Sequence, residues 1–342
     1  MNITREYFGT TSAGKQVDVI SIENSSGASI ELITYGARLI SCKMPDRKGT
    51  SDELVLGSKD LADYEGDLLY HGATIGRYAN RIAKGTFTLN GIEHNVEKNH
   101  PLFQLHGGPG GFHQLIWDAY PIKQEDRGLV KFTLTSPDGD QGFPGTLDVA
   151  VTVTLTEMNE LMFFYEAVTD ADTYISLTNH AYWNVSGLSA DTTIHDHELQ
   201  LNAHAYVEVG RDLLPTGSLV SVHNTPFDFT KVKTIGKDLH NIPGFDGFDH
   251  NFVVRKARAP QVIDAAVVFD PPSGRKMTIR TNAPGVQFYS DIYSQPPYRG
   301  ICLEAGELPD AMHHSNFPQP LLTKGGTYRQ LTIHSFETES GE

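Results

Sequence analysis

The chain reads as an all-β protein, an antiparallel sandwich or barrel. Three observations predict this. Helical periodicity is nearly absent, apolar and polar residues alternate over short runs, and Gly, Pro, Asn and Asp punctuate those runs at close intervals. Residues 147–155 are the clearest case. Leu147, Val149, Val151, Val153 and Leu155 alternate with Asp148, Ala150, Thr152 and Thr154, the period-two pattern of a half-buried strand. No strand–helix–strand alternation interrupts such segments, which favours antiparallel layers over a parallel sheet.

Residues 17–22 and 28–33 are strand-like runs joined across Asn24-Ser25-Ser26-Gly27. Residues 59–64 alone invite a short helical turn. Phe87-Thr88-Leu89 and Ile92-Glu93-His94 flank Asn90-Gly91, the strongest short hairpin signal, because both central residues of a type I′ turn need positive φ. A strand is expected over 129–134, and 147–155 should pair with 161–168 across the polar turn Glu157-Met158-Asn159-Glu160. Further strands are expected over 262–269, 276–280, 286–289 and 330–336, with a frayed polar tail at 337–342. There is no Ser/Gly-rich linker, composition shift or clean repeat, so one β domain spanning 1–342 is the simplest organisation.

Composition narrows the function. The chain has 342 residues, 39% hydrophobic and 20% charged, enough to bury a substantial core. Its 27 Lys and Arg against 42 Asp and Glu leave a net charge of −15, which repels phosphate backbones and anionic membranes. The only compensating basic stretch is Arg255-Lys256-Ala257-Arg258, so neither nucleic acid nor membrane is an expected partner. Cys42 and Cys302 make no disulfide framework and no zinc cluster, which fits a reducing compartment. Residues 1–6 have neither a basic nor an apolar leader character. The longest apolar runs, 161–165 and 265–269, fall far short of the roughly 20 residues that span a bilayer. A soluble, cytoplasmic protein is expected, as a monomer or a weak dimer.

Several motif-like segments fail on inspection. Gly9-Thr10-Thr11-Ser12-Ala13-Gly14-Lys15-Gln16 nearly matches a phosphate-binding loop, but Gln16 replaces the hydroxyl that should hold magnesium, and a strand-like segment follows where a helix is needed. It reads as a turn. Asp138-Gly139-Asp140-Gln141-Gly142 hints at a calcium loop, but Gly142 and Phe143 stand where Asp or Asn and then Gly are required. His195-Asp196-His197 and His313-His314 lack a second ligand pair at a recognisable spacing, so no metal is expected. There is no Gly-x-Ser-x-Gly elbow and no cysteine in the setting of a thiol nucleophile.

What remains is a set of polar residues in turn-rich, aromatic-rich segments: 76–82, 105–108, 177–184, 247–250, 285–289 and 302–304. They carry Arg77, Asn80, Arg81, His106, Asn179, His180, Asn184, Asp249, His250, Gln287 and Glu304. Planar amides, carboxylates and guanidinium groups beside aromatic rings suit a sugar, with directional hydroxyls on its rim and C–H patches on its faces. Each segment alone is more simply structural: Asn80 and Arg81 as a turn with a surface ion pair, Gln287 as an edge cap, Asp249 as a holder of His250 or the Asn251 backbone.

Together and in this order the segments resemble the aldose 1-epimerase (galactose mutarotase) family. The resemblance runs from about Tyr35 to Phe336. Its most specific pieces are Gly76-Arg77-Tyr78-Ala79-Asn80-Arg81-Ile82-Ala83-Lys84-Gly85, Leu105-His106-Gly107-Gly108, Ser136-Pro137-Asp138-Gly139-Asp140-Gln141-Gly142-Phe143-Pro144-Gly145 and Asn179-His180-Ala181-Tyr182-Trp183-Asn184. The resemblance implies a large antiparallel β-sandwich, the galactose mutarotase-like supersandwich, with a monosaccharide in a shallow cleft. It also implies interconversion of the α and β anomers of free hexoses such as galactose or glucose, without cofactor or metal. By position in the motifs Glu304 looks like the base and His180 like the acid. His106 is implied as a second histidine near the reacting ring, and Asn80, Arg81, Asp249 and Gln287 as holders of hydroxyls.

The chain departs from the family in places. Ala305-Gly306 stands where many members carry Thr-Gln, which would remove two polar side chains near the base. Tyr78 and Trp183 are bulkier than some counterparts and would narrow the cleft, Trp183 either stacking on the sugar or plugging the core. Three other readings compete: a glycoside hydrolase built on Glu304 and Asp249, a non-catalytic sugar binder, and an epimerase of hexose 6-phosphates. Low pH should stop the reaction as Glu304 protonates.

Overall fold

The computed structural model describes residues 1–189 and 192–339, which form three large antiparallel sheets with two-stranded ladders between them. The first sheet is a meander of Asn2–Thr10, Gln16–Glu23, Ser29–Ile33, Arg38–Pro45 and Ser51–Glu53. The largest has nine strands, in the order Asp118–Lys123, Arg127–Ser136, Leu147–Thr156, Glu160–Thr169, Thr327–Thr338, Arg275–Thr281, Ile263–Phe269, Glu198–Leu201 and Lys233–Thr234. The third runs Pro215–Ser221, Ala205–Val209, Asp249–Val253, Gly285–Tyr289 and Cys302–Gly306.

The inward faces of all three sheets share one apolar cluster. Ile20, Ile22 and Leu32 come from the first sheet, Val151, Val153, Phe163 and Ile279 from the nine-stranded one, and Phe252, Val286, Phe288, Leu303 and Ala305 from the third. A sheet with one apolar face has to bury it, and layers packed face to face do so. The fold is therefore the antiparallel β-sandwich that the alternation predicts.

Local signals account for the elements. Asn90 and Gly91 sit at φ 52° and 77° between Thr86–Leu89 and Ile92–Asn95, as a type I′ hairpin requires. Leu155 faces Leu161 across the turn at 157–159. Asp60 caps the short helix Leu61–Glu65, its carboxylate accepting from the Ala62 amide at 3.0 Å. The phosphate-loop look-alike is the hairpin turn between Asn2–Thr10 and Gln16–Glu23.

The tail departs from expectation. Glu337 and Thr338 do not fray, because they pair with Lys276 and Arg275 at the end of a strand inserted in the middle of the sheet. Residues 340–342 lie outside the described residues.

Candidate active site

The third sheet presents one polar face. Cross-strand neighbours in an antiparallel ladder share a face, and positions two apart along a strand do too. Asn251 faces Gln287, Gln287 faces Glu304, and Asp249 faces Tyr289, which faces Cys302. All six side chains thus emerge on one side, while Phe252, Val286, Phe288, Leu303 and Ala305 go into the core on the other.

Irregular segments bring the opposing groups. Arg81–Ala83 pairs with Phe103–Leu105, so Asn80 and His106 lie side by side at the ladder's end. The Asn80 amide donates to His106 Nδ1 at 3.2 Å, and the His106 amide donates to the Asn80 carbonyl at 3.0 Å. Both residues have positive φ, 69° and 51°. Gly107 continues this turn at φ 85°, and a Cβ there would fall 1.9 Å from the Gly76 carbonyl oxygen. The turn 137–145, so specific in sequence, supports the neighbourhood: Gln141 Oε1 accepts from the Gly110 amide at 3.0 Å. The buried Arg77 guanidinium donates to the Ser136, Pro137 and Gly145 carbonyls of the same turn.

His180 follows the two-residue strand Thr178–Asn179, paired with Thr74–Ile75. Its amide donates to the Ala73 carbonyl and its carbonyl accepts from the Gly72 amide, each at 2.9 Å. The Asn179 amide nitrogen fixes the same loop through the Gly72 carbonyl at 2.8 Å.

These pieces enclose a cavity of about 180 Å³. Asn80, Arg81, His106, His180, Asp249, Gln287 and Glu304 all line it, so every site residue expected from sequence is in one place. Larger hollows lie beside Asp67 and His71 (about 570 Å³) and on the outer face of the nine-stranded sheet (about 440 Å³). Neither gathers these groups.

The polar contacts inside are ordered. Asp249 Oδ2 accepts from Arg81 Nη2 at 2.9 Å, and Asp249 Oδ1 accepts from Gln287 Nε2 at 2.6 Å. Asn80 Oδ1 accepts from the Arg81 amide at 2.9 Å. Burial works against the Asp249 charge, but Arg81 and Gln287 outweigh it and its carboxyl stays below the ordinary range.

Glu304 is in the opposite situation. Burial, and then the Asp249 charge, push it up to about 8, with Arg81 opposing. Burial brings His180 down to about 4, against a hydrogen bond to its own backbone that favours the charged form. His180 Nε2 lies 3.6 Å from Glu304 Oε1. Burial thus favours the neutral form of both groups, a proton on Glu304 and none on His180.

His106 is also held well below its usual pKa, by burial first and then by the nearby His180. With Nδ1 accepting from Asn80, neutral His106 carries its proton on Nε2 and is a donor. His106, His180 and Glu304 place donor atoms within 4.8 Å of one another, close enough to meet a common cation. The Asn80 hydrogen bond favours the tautomer that withholds the His106 Nε2 lone pair from such an ion.

Three expectations need correction. Trp183 is 2% exposed and packs against His334 and Phe336, so it plugs the core. Tyr78 is fully buried, its hydroxyl donating to the Leu308 carbonyl, and does not narrow the cleft. Ala305 points into the core, so the Ala-Gly departure takes no polar group from the cavity at that position. The walls are instead Leu68, Leu69, Tyr70, Tyr182, Tyr289 and Tyr293. Tyr289 was legible, since it lies two residues from Gln287 on a strand. Tyr70 lies in no segment that carried a signal.

The family model described as aldose 1-epimerase matches residues 18–335. Galactose mutarotase from Sus scrofa is 35% identical over 98% of this chain and 99% of its own length. Aldose 1-epimerase from Escherichia coli K12 is 34% identical over 95% and 97%. Among solved structures, galactose 1-epimerase from Lactobacillus acidophilus superposes with a TM-score of 0.87 at 26% identity, covering 99% of each chain. The chain thus has relatives along nearly its whole length, and it belongs to the aldose 1-epimerase family. It is an epimerase. No helix among the described residues is long and apolar enough to cross a membrane.

Proposed function

We propose that the enzyme interconverts the α and β anomers of free hexoses such as galactose or glucose, with Glu304 as base and His180 as acid. The observation that carries this is the pair itself: an imidazole and a carboxyl group 3.6 Å apart in a cavity of about 180 Å³. Family membership supports the reaction class, and the pair supplies the proton traffic the reaction needs.

Glu304 takes the proton of the C1 hydroxyl while His180 delivers its proton to the ring oxygen. The C1–O5 bond breaks, C1=O1 forms, and rotation about C1–C2 presents the other face of the aldehyde. Closure returns both protons. Opening leaves Glu304 protonated and His180 neutral, the form that burial favours. In the closed-ring complex, the O1–H donating to Glu304 and O5 accepting from His180 favour the ionic form. Arg81, Asp249, Asn80 and Gln287 hold hydroxyls, and His106 donates from Nε2.

Particular contacts weigh against the rivals. Asp249 is ion-paired with Arg81 and accepts from Gln287, an arrangement that holds hydroxyls rather than that of a hydrolase's second carboxylate. Among the described residues Arg81 is the one Lys or Arg that lines the cavity, and its charge is paired with Asp249, which disfavours a phosphate there.

Polarimetry tests the proposal. The protein should speed the decay of optical rotation of fresh α-galactose or α-glucose, and Glu304→Gln and His180→Asn should each lose about 10²–10⁴-fold with the fold intact by circular dichroism. Because the pair must hold one proton, kcat/KM should fall below about pH 4, where both groups are protonated, and above about pH 8, where neither is. Full activity in either variant overturns the roles.

A further inference from the structure

Two aromatic rings flank the His180 imidazole, and the proton relay makes no use of them. The Tyr70 centroid lies 5.9 Å away with planes 31° apart, and the Tyr182 centroid 5.2 Å away at 29°. Tyr182 is stacked on His180 and Tyr70 is tilted against it, both at centroid distances at which aromatic rings interact. Both rings are buried and both line the sugar cavity.

Each hydroxyl has a partner away from His180. Tyr182 O–H donates to the Leu69 carbonyl at 2.8 Å, and Tyr70 Oη accepts from Asn99 Nδ2 at 3.2 Å. Asn99 is itself fixed to the Leu105 amide and carbonyl, at 2.7 and 3.0 Å. What each tyrosine offers His180 is therefore a ring face, held at its outer edge by a tether.

The other groups facing His180 are few. Glu304 Oε1 is 3.6 Å from Nε2, Cys302 Sγ is 3.5 Å from Nδ1, and the His106 ring is 5.1 Å away. His71, Asp67, Asp249 and His113, the last packed on the same Tyr70 ring, act at longer range. The Cys302 thiol, pushed well up by burial, stays uncharged, so Glu304 is the one contacting group that can offset an imidazolium. Glu304 loses that charge once it accepts the sugar's proton. An aromatic face within about 6 Å attracts a cation and adds no titrating group of its own.

We propose that Tyr70 and Tyr182 are positioning residues of the anomerisation, which hold the His180 ring in place and favour its protonated form through their faces. This rests on the reading of His180 as the acid. The two rings act on His180 whether or not sugar is bound, and they oppose in part the burial that disfavours its protonated form.

A fluorination series tests this without changing shape. Phenylalanine and its mono-, di- and trifluorinated forms are installed at position 182, and the series is repeated at position 70. Both series lack the hydroxyl tether throughout, so only the charge on the ring face varies. The His180 pKa, read by ring-nitrogen NMR in the free enzyme, should fall stepwise by about one across each series, a tenfold shift in its protonation. Polarimetric kcat should fall in parallel while KM stays within about twofold. A flat pKa and a flat kcat at both positions overturn the proposal. A stepped pKa with flat kcat overturns the role in turnover, and the activity of His180→Asn then shows whether the reading of His180 failed with it.

Discussion

One half of the cavity is built on a sheet and the other on turns. Asp249, Gln287 and Glu304 stand on three adjacent strands whose ladder fixes their spacing, with Phe252, Phe288 and Leu303 packed behind them. Asn80, His106 and His180 stand on short ladders and turns, two of them at positive φ. The acceptors thus sit on the rigid side and the cation and imidazoles on the irregular side. The contrast follows from chemistry: polar groups of one strand face repeat every second residue, whereas two histidines and an arginine that must converge from one side need abrupt changes of direction. The Arg81–Asp249 pair is the bond between the halves.

Removing that bond should have the largest effect outside the acid–base pair. Both side chains are about nine-tenths buried, so Asp249→Asn strands the Arg81 charge and should cost about 3 kcal/mol of stability, read in denaturant unfolding. It also removes the charge that helps keep Glu304 protonated and leaves Arg81 unopposed. The high-pH limb of kcat/KM should then move to lower pH than about 8. An unmoved limb would mean that burial alone sets Glu304.

Breaking the turn half by its backbone should cost less. Gly107→Ala puts a Cβ against the Gly76 carbonyl and the Arg77 amide, neither of which can swing aside, at a φ that alanine resists. A loss of about 2 kcal/mol is expected, with KM raised because His106 precedes the shifted residue. If stability falls and KM does not, the His106 turn is structural support and the sugar is held elsewhere.

This division also governs what could be read in the sequence. In Gly285-Val286-Gln287-Phe288-Tyr289 the alternation itself declares a polar face and an apolar one, and the structure places them so. Cys302–Gly306 is as fully buried as Gly285–Tyr289, but Cys302 and Gly306 share the face of Glu304 and neither is strongly polar, so no alternation marks Glu304. Asn80 and His106 take positive φ without being glycine, a choice dictated by neighbours far along the chain, and only the resemblance pointed to them. Aromatic residues were the least legible. Tyr182 and Trp183 are consecutive, yet one meets His180 and the other the core near His334, and nothing local separates them. Tyr70 reaches three histidines from a segment with no pattern at all.

The smallest expected effect falls on the sheet half. Gln287 Nε2 donates to Asp249, while Gln287 Oε1 is buried with no partner in the protein, which leaves it as an acceptor for a sugar hydroxyl. Gln287→Leu keeps the strand and its core contacts but removes that acceptor. One neutral hydrogen bond is worth about 1 kcal/mol net, so KM should rise about fivefold with kcat within about twofold. The Asp249 charge survives through Arg81, so the pH limbs should stay in place, unlike those of Asp249→Asn. The two variants touch neighbouring atoms of one face, and polarimetry across pH separates them: one shifts the proton balance, the other only loosens the sugar. A tenfold fall in kcat at unchanged KM would put Gln287 in the chemical step and erase that distinction.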